Sequence, residues 1–280
     1  MEDLDLARGR RWWRTGRRVG SLARASAFVD DVGFALLFPK SGLALPTLWE
    51  TVTDQPISEL PQAWGPDAER VWAWKDELPR RGLAWYGRFL HGHPSFLSPA
   101  LLADLYPRSG RPEDFDEVAL SPDARRIARI LLRSGPQPTA ALREALGVEG
   151  RRGGEAFTRA TTELGRALVV THHGTEAEGT GWPSAILELT ARAFHIPRRR
   201  DPDASGLRAA RMFLGTVLLA RPYQLGNAFG WGADRARAAF EQLVEHGEAE
   251  RDGPAYRDVR GARSGSTRRS ARTRTSRRTR

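Results

Sequence analysis

The chain has no cysteine in its 280 residues. Disulfides, thiolate-bound metals, iron–sulfur clusters and thiol nucleophiles are thereby excluded together. The absence also fits a reducing compartment. Lysine is nearly missing: Lys40 and Lys75 are two of 44 basic residues, and the others are arginine. Coding bias produces such lopsided usage, so arginine richness alone carries little functional weight. Long apolar runs are lacking too. Met212 to Ala220 is the longest candidate, well short of the roughly 20 residues that cross a bilayer. Glu2, Asp3 and Asp5 come first, and no long apolar stretch follows Arg8 to Arg18, so no secretory signal is read. A soluble cytoplasmic protein with no membrane partner is expected. No P-loop, GxGxxG, Gly-x-Ser-x-Gly or HExxH motif occurs, which leaves nucleotide cofactors, an esterase elbow and a zincin site without support.

What is present is unevenly distributed. The formal net charge is +10, and residues 260–280 hold nine Arg and no acid, so the tail carries nine of the ten excess charges. Its Arg, Ser, Thr, Gly and Ala cannot bury a core, and disorder is expected there. Such a segment attracts phosphates without sequence preference, although a solvated extension with no dedicated role has the same composition. Near the front, Arg8, Arg10, Arg11, Arg14, Arg17 and Arg18 surround Trp12 and Trp13. Guanidinium pairs with phosphate and indole stacks on bases, and the same mix suits a membrane surface. The simpler expectation is an N-terminal helix whose Trp pair packs on the body while its arginines face water.

The second half repeats a pattern. Ser121-Pro122-Asp123 starts a helix that runs to Gly135, with Ser as N-cap and Pro at the first position. Thr139 opens a short helix ended by Gly147, Arg151 to Gly154 reads as a turn, and Glu155 to Arg166 reads as a third helix. Strands are predicted over 167–171 and 186–189, with His172 and His173 on a solvated connecting wing. After a Pro-rich linker, helices from about 203, from Tyr223 and from Ala233 precede a hairpin turning at Asp252-Gly253. Three helices followed by a β-hairpin is the winged-helix plan. Winged helices bind DNA, and they also serve as protein-interaction modules. The third helices are not conspicuously basic, with Arg159 and Arg166 in one and Arg235 and Arg237 in the other offset by acids.

The front is aromatic. Six of the nine Trp precede residue 80, and most must be core or cleft lining. Val71 to Pro79 forms one aromatic segment, and Leu83 to Leu90 reads as a helix. The expected architecture is α+β and mainly α, with tandem winged-helix units and short β-hairpin wings arranged in a C. Its divisions are an aromatic-rich helical or winged-helix domain (1–118), two winged-helix units (119–196 and 203–259) and the tail.

These features resemble the AlkZ-like DNA glycosylases. Val29-Asp30-Asp31-Val32 is similar to that family's early segment, in which Gln, any residue, then Asp or Gln precedes an apolar residue. Trp72-Ala73-Trp74, followed by Leu78-Pro79, is similar to a Trp-Ala-His segment ending in Leu-Pro. The stretch Trp74 to Pro79 resembles the AlkZ-related sub-group, and the resemblance spans roughly residues 17–255. Phe28 stands where the family has Gln, and Trp74 where it has His.

The resemblance implies a DNA-binding protein that flips an alkylated base and hydrolyses its N-glycosidic bond. It would act on duplex DNA as a monomer, without a cofactor or a metal. Asp30 is the candidate to activate water and support the sugar cation, with Asp31, Asp76 or Glu77 able to substitute. Trp72, Trp74 and Tyr86 are candidates to stack on bases, and Arg159 and Arg235 to meet phosphates. The competing reading is a non-catalytic winged-helix scaffold for DNA or a protein partner, with a degenerate pocket. His91 and His93, like His172 and His173, lack a companion carboxylate at a metal-binding interval. Deleting 260–280 should flatten the salt dependence of duplex binding, by about 0.9 in log–log slope for every phosphate the tail neutralises. Kd titrations of both chains against salt check this, and equal slopes would remove the tail from the account.

Overall fold

The computed structural model describes residues 3–53, 65–148, 150–176, 183–197 and 201–259. The Arg-rich tail lies outside them. The described chain is α+β and mainly helical. One order of elements, helix, short strand, two helices and a hairpin, recurs three times, and not only in the second half.

An N-terminal helix, α1 (Leu4–Arg11), precedes the first unit: α2 (Leu22–Val32), β1 (Phe34–Leu36), α3 (Trp49–Val52), α4 (Pro66–Arg80), β2 (Trp85–Arg88) and β3 (Pro94–Leu97). Next come α5 (Pro99–Leu105) and the second unit, α6 (Pro122–Ser134), β4 (Gln137–Pro138), α7 (Thr139–Leu146), α8 (Gly150–Arg166), β5 (Val170–Glu176) and β6 (Ser184–Leu189). Short α9 (Thr190–Ala193) leads to the third unit: α10 (Pro202–Val217), β7 (Leu219–Ala220), α11 (Pro222–Phe229), α12 (Ala233–Glu245), β8 (Ala249–Asp252) and β9 (Ala255–Asp258). Each unit's lone strand pairs antiparallel with the last strand of its hairpin, in the orders β1-β3-β2, β4-β6-β5 and β7-β9-β8.

Two expectations need correction. Leu83 to Leu90 is not a helix, because its centre forms β2, with Trp85 opposite Leu97 and Tyr86 opposite Phe96. Both faces of this strand are buried: Trp85 enters a core shared with the third unit, and Tyr86 joins the core of the first. Burial on both sides erases the polar alternation that marks a strand. Arg151 to Gly154 is not a turn, since α8 starts at Gly150 and the Thr158 hydroxyl donates to the Gly154 carbonyl at 2.8 Å.

The units are fastened to one another by apolar contacts. Phe34 of the first unit stacks on Phe213 of α10 at 5.6 Å and meets the edge of Phe229 at 6.0 Å. Phe89 also meets Phe229, at 6.1 Å. The second unit has its own core, including Ile127, Leu131, Phe157 and Leu164. It joins the first through Trp85 Nε1, which donates to Thr190 Oγ1 at 3.0 Å, and through Gly165. A Cβ on Gly165 would fall 2.8 Å from the Arg88 carbonyl oxygen, so α8 and the first hairpin approach at a distance only glycine permits.

The N-terminal Trp pair is buried, as Trp12 and Trp13 are 2% and 8% exposed. The arginines beside it do not simply face water. Arg8 Nε donates to the Val217 carbonyl at 3.1 Å, Arg11 Nε to Gly215 at 3.0 Å and Trp12 Nε1 to Thr216 at 2.6 Å. The last carbonyls of a helix have no partner within it, and here the N-terminal segment supplies donors for three of those of α10. Among the described residues no helix is long and apolar enough to cross a membrane. Trp12→Phe keeps the ring but removes the indole N–H, leaving the Thr216 carbonyl unmet in a buried place. A loss of about 1–3 kcal/mol is expected, read as a lower urea midpoint at unchanged slope.

Candidate functional site

The site begins on α4. Residues three and four apart share a helix face. Ala68, Val71, Trp74 and Leu78 therefore turn into the core of the first unit, while Glu69, Trp72, Ala73 and Asp76 look out of it. The outward face meets the second unit across a cavity of about 920 Å³, whose other walls are β2, α7, α8, β5 and β6. Trp72, 38% exposed, lines it together with Tyr86.

Asp76 is the hub of the cavity's polar wall. Its Oδ1 accepts from Lys75 Nζ at 2.6 Å and is bonded to His172 Nε2, and its Oδ2 accepts from Thr175 Oγ1 at 3.3 Å. The edge of His172 lies against Tyr86 at 5.5 Å, and Lys75 Nζ lies 4.4 Å from the Trp72 ring centre. The Thr171 hydroxyl donates to the Tyr86 carbonyl at 3.2 Å, joining β5 of the second unit to β2 of the first. The pairing of β5 with β6 shifts register between His172 and Gly174, and such a bulge re-aims side chains locally.

Electrostatics follow from this enclosure. Burial pushes the Asp76 carboxyl up, but hydrogen bonds from His172 and Lys75 and their positive charge outweigh it and hold the group below its ordinary value. Burial lowers His172, with Asp76 opposing. Burial pushes the Tyr86 phenol up, and Asp76 adds to the shift. The wall therefore presents an ionised carboxylate, Asp76, held between the side chains of Lys75 and the buried His172.

The structure brings together Trp72, Tyr86 and Asp76, the last having been expected only as a substitute for Asp30. Trp74 points instead into the core, where it is 7% exposed. Asp30 sits on the solvent side of α2 and does not line the cavity, although partial burial raises its carboxyl. Arg159 is exposed on α8, and Arg235 is exposed on α12 with its guanidinium 4.1 Å from the Trp231 ring centre. His172, expected on a solvated wing, is 7% exposed, because Asp76 and Tyr86 close over it. Its pairing with Asp76 spans 96 residues, a separation that leaves no local signature. Among the described residues no group of three or more His, Asp or Glu is placed to hold a metal ion.

A family model described as AlkZ related matches residues 19–214. No curated protein matches the chain in sequence. Among solved structures, the DNA glycosylase AlkZ of Streptomyces sahachiroi is similar, with a TM-score of 0.55 at 14% identity over 95% of this chain and 72% of that one. At that identity the likeness concerns the fold.

His172 and Asp76 both make the fold sensitive to acid. Burial lowers His172 in the folded chain, so the unfolded chain takes up this proton first, and stability falls as pH drops through the ordinary imidazole range. The depressed Asp76 contributes stability above the ordinary carboxylate range and loses it as pH falls through its lowered value. His172→Gln keeps a donor for Asp76 but does not titrate. Its urea midpoint should decline less than wild type between pH values of about 7.5 and 5. Equal declines would show that His172 titrates alike in folded and unfolded chains.

Proposed function

This chain belongs to the AlkZ-related family, and on that premise we propose that it is a DNA-repair protein that releases a damaged base from duplex DNA. The three repeated units are read as winged-helix modules in a C-shaped arrangement, with the divisions 1–118, 119–196 and 203–259, followed by a tail that adds phosphate affinity. The protein is proposed to act as a cytoplasmic monomer without a cofactor.

One observation carries the reading. An ionised carboxylate, Asp76, is fixed by three donors in the wall of a cavity that also presents an exposed indole. The cavity volume lies within the range of small-molecule sites. A base turned out of the helix would stack on Trp72. As the N-glycosidic bond lengthens, positive charge grows on the sugar, and Asp76 would stabilise it and take a proton from the attacking water. Because Lys75, His172 and Thr175 already orient the carboxylate, little reorganisation is needed at the moment of reaction. Exposed Arg88 and Arg143 at the rim, with Arg159 and Arg235 beyond it, would meet phosphates.

Asp30 is the rival for the chemical role. Phe28 and Trp74 favour the non-catalytic alternative, since both are core side chains where the resemblance has Gln and His. A base-release assay on alkylated duplexes separates these readings. Asp76→Asn is expected to slow release at least about 100-fold with duplex affinity kept, and Asp30→Asn to leave it within about threefold. The reverse pattern would move the chemistry to Asp30. Tight duplex binding by a wild-type chain that releases no base would overturn the base-release reading.

A further inference from the structure

Basic residues in this chain are almost all arginine, yet Lys40 and Lys75, the two lysines in 280 residues, both line the same cavity. The arginines are spread over all three units, whereas both lysines lie around one hollow. An arginine carries the same charge and offers more hydrogen-bond donors. What it cannot do is shed a proton and attack carbon, which a lysine amine can. A lysine in the cavity wall therefore offers amine chemistry that an arginine there would not.

Lys75 is the better placed of the two. It is 5% exposed, and its Nζ sits 2.6 Å from Asp76 Oδ1 and 4.4 Å from the Trp72 ring centre. Lys40 is exposed at the rim. We infer that Lys75 is an amine nucleophile that captures the aldehyde of an abasic sugar as an imine, giving the cavity a second, strand-opening activity. The inference rests on the base-release reading for the origin of that sugar.

The chemistry balances within the groups present. Asp76 takes the ammonium proton as the nitrogen lone pair attacks C1′. It returns that proton to the carbinolamine hydroxyl, which leaves as water. Ammonium plus aldehyde has become iminium plus water with no net proton change. The iminium acidifies C2′. Asp76, again a carboxylate, removes a C2′ proton, and the electron pair expels the C3′ oxygen, with the 5′-phosphate of the next nucleotide as leaving group. Hydrolysis of the iminium then restores Lys75.

The test uses the full chain and a duplex carrying a preformed abasic site, with sodium borohydride to reduce the iminium to a stable amine. Wild type should give a covalent protein–DNA adduct, and peptide mapping should place it on Lys75. Lys75→Arg, which keeps the charge, should lower the yield at least tenfold, whereas Lys40→Arg should retain it. An adduct mapped to another residue, a wild-type yield from Lys75→Arg, or no adduct from the wild-type chain overturns the assignment. Mapping uses the wild-type chain, so it decides even if Lys75→Arg fails to fold. Base release from alkylated duplex is scored separately. A chain trapped on abasic DNA that releases no base refutes the previous reading and leaves Lys75 standing, and a chain that releases base but is never trapped does the reverse.

Discussion

Burial of the first hairpin on both faces is the constraint on which the rest depends. Trp85 and Tyr86 are adjacent on β2 and point to opposite sides of the sheet, as strand geometry requires. The Trp85 side meets the third unit through Phe89 and Phe229, and its indole reaches Thr190 near the end of the second. The Tyr86 side meets β5 through Thr171 and forms part of the cavity wall. One strand therefore registers all three units against each other. Gly165 sets how closely α8 can approach it. Shifting β2 by one residue would exchange its two faces, moving the cavity wall and the shared core together.

The cavity inherits its chemistry from that registration. Asp76 and Lys75 come from α4, packed on the first unit, while His172 and Thr175 come from β5 of the second. Neither unit alone assembles the cluster. His172 and Asp76 can meet because both are anchored in elements that the hairpin already holds in place. Such enclosure also explains the opposing influences on the pair: burial dominates for His172, whereas donors dominate for Asp76.

Much of the helical plan was legible in the residues. Ser121-Pro122, Gly135 and Gly147 mark helix ends that the structure keeps. The repeat in the second half could be read from these punctuation marks, but its third copy could not. In the front unit, Trp85 and Tyr86 at the start of β2 are both buried although they face opposite sides, and β1 is three buried residues close behind α2. The site was legible in part. Trp72, Tyr86 and Asp76 stood out by type, but spacing alone could not say that Trp72 and Trp74 lie on different faces of α4 before its boundaries were fixed. His172 was missed because its burial depends on a contact from another unit. For Arg8 and Arg11 the reason is similar, since acceptors of both lie some 200 residues away.

Those distant acceptors have a bearing on how the protein is made. Trp12, Arg8 and Arg11 emerge from the ribosome early, but the carbonyls they serve belong to residues 215–217. At roughly 5–20 residues per second, the gap lasts about 10–40 s. During that interval the Trp12 indole and the Arg8 and Arg11 guanidinium groups lack these carbonyls, whereas Trp13 already has Phe28 and Asp31 of the first unit beside it. The N-terminal helix can therefore dock on the end of α10 only after the third unit has been made, although it is synthesised first.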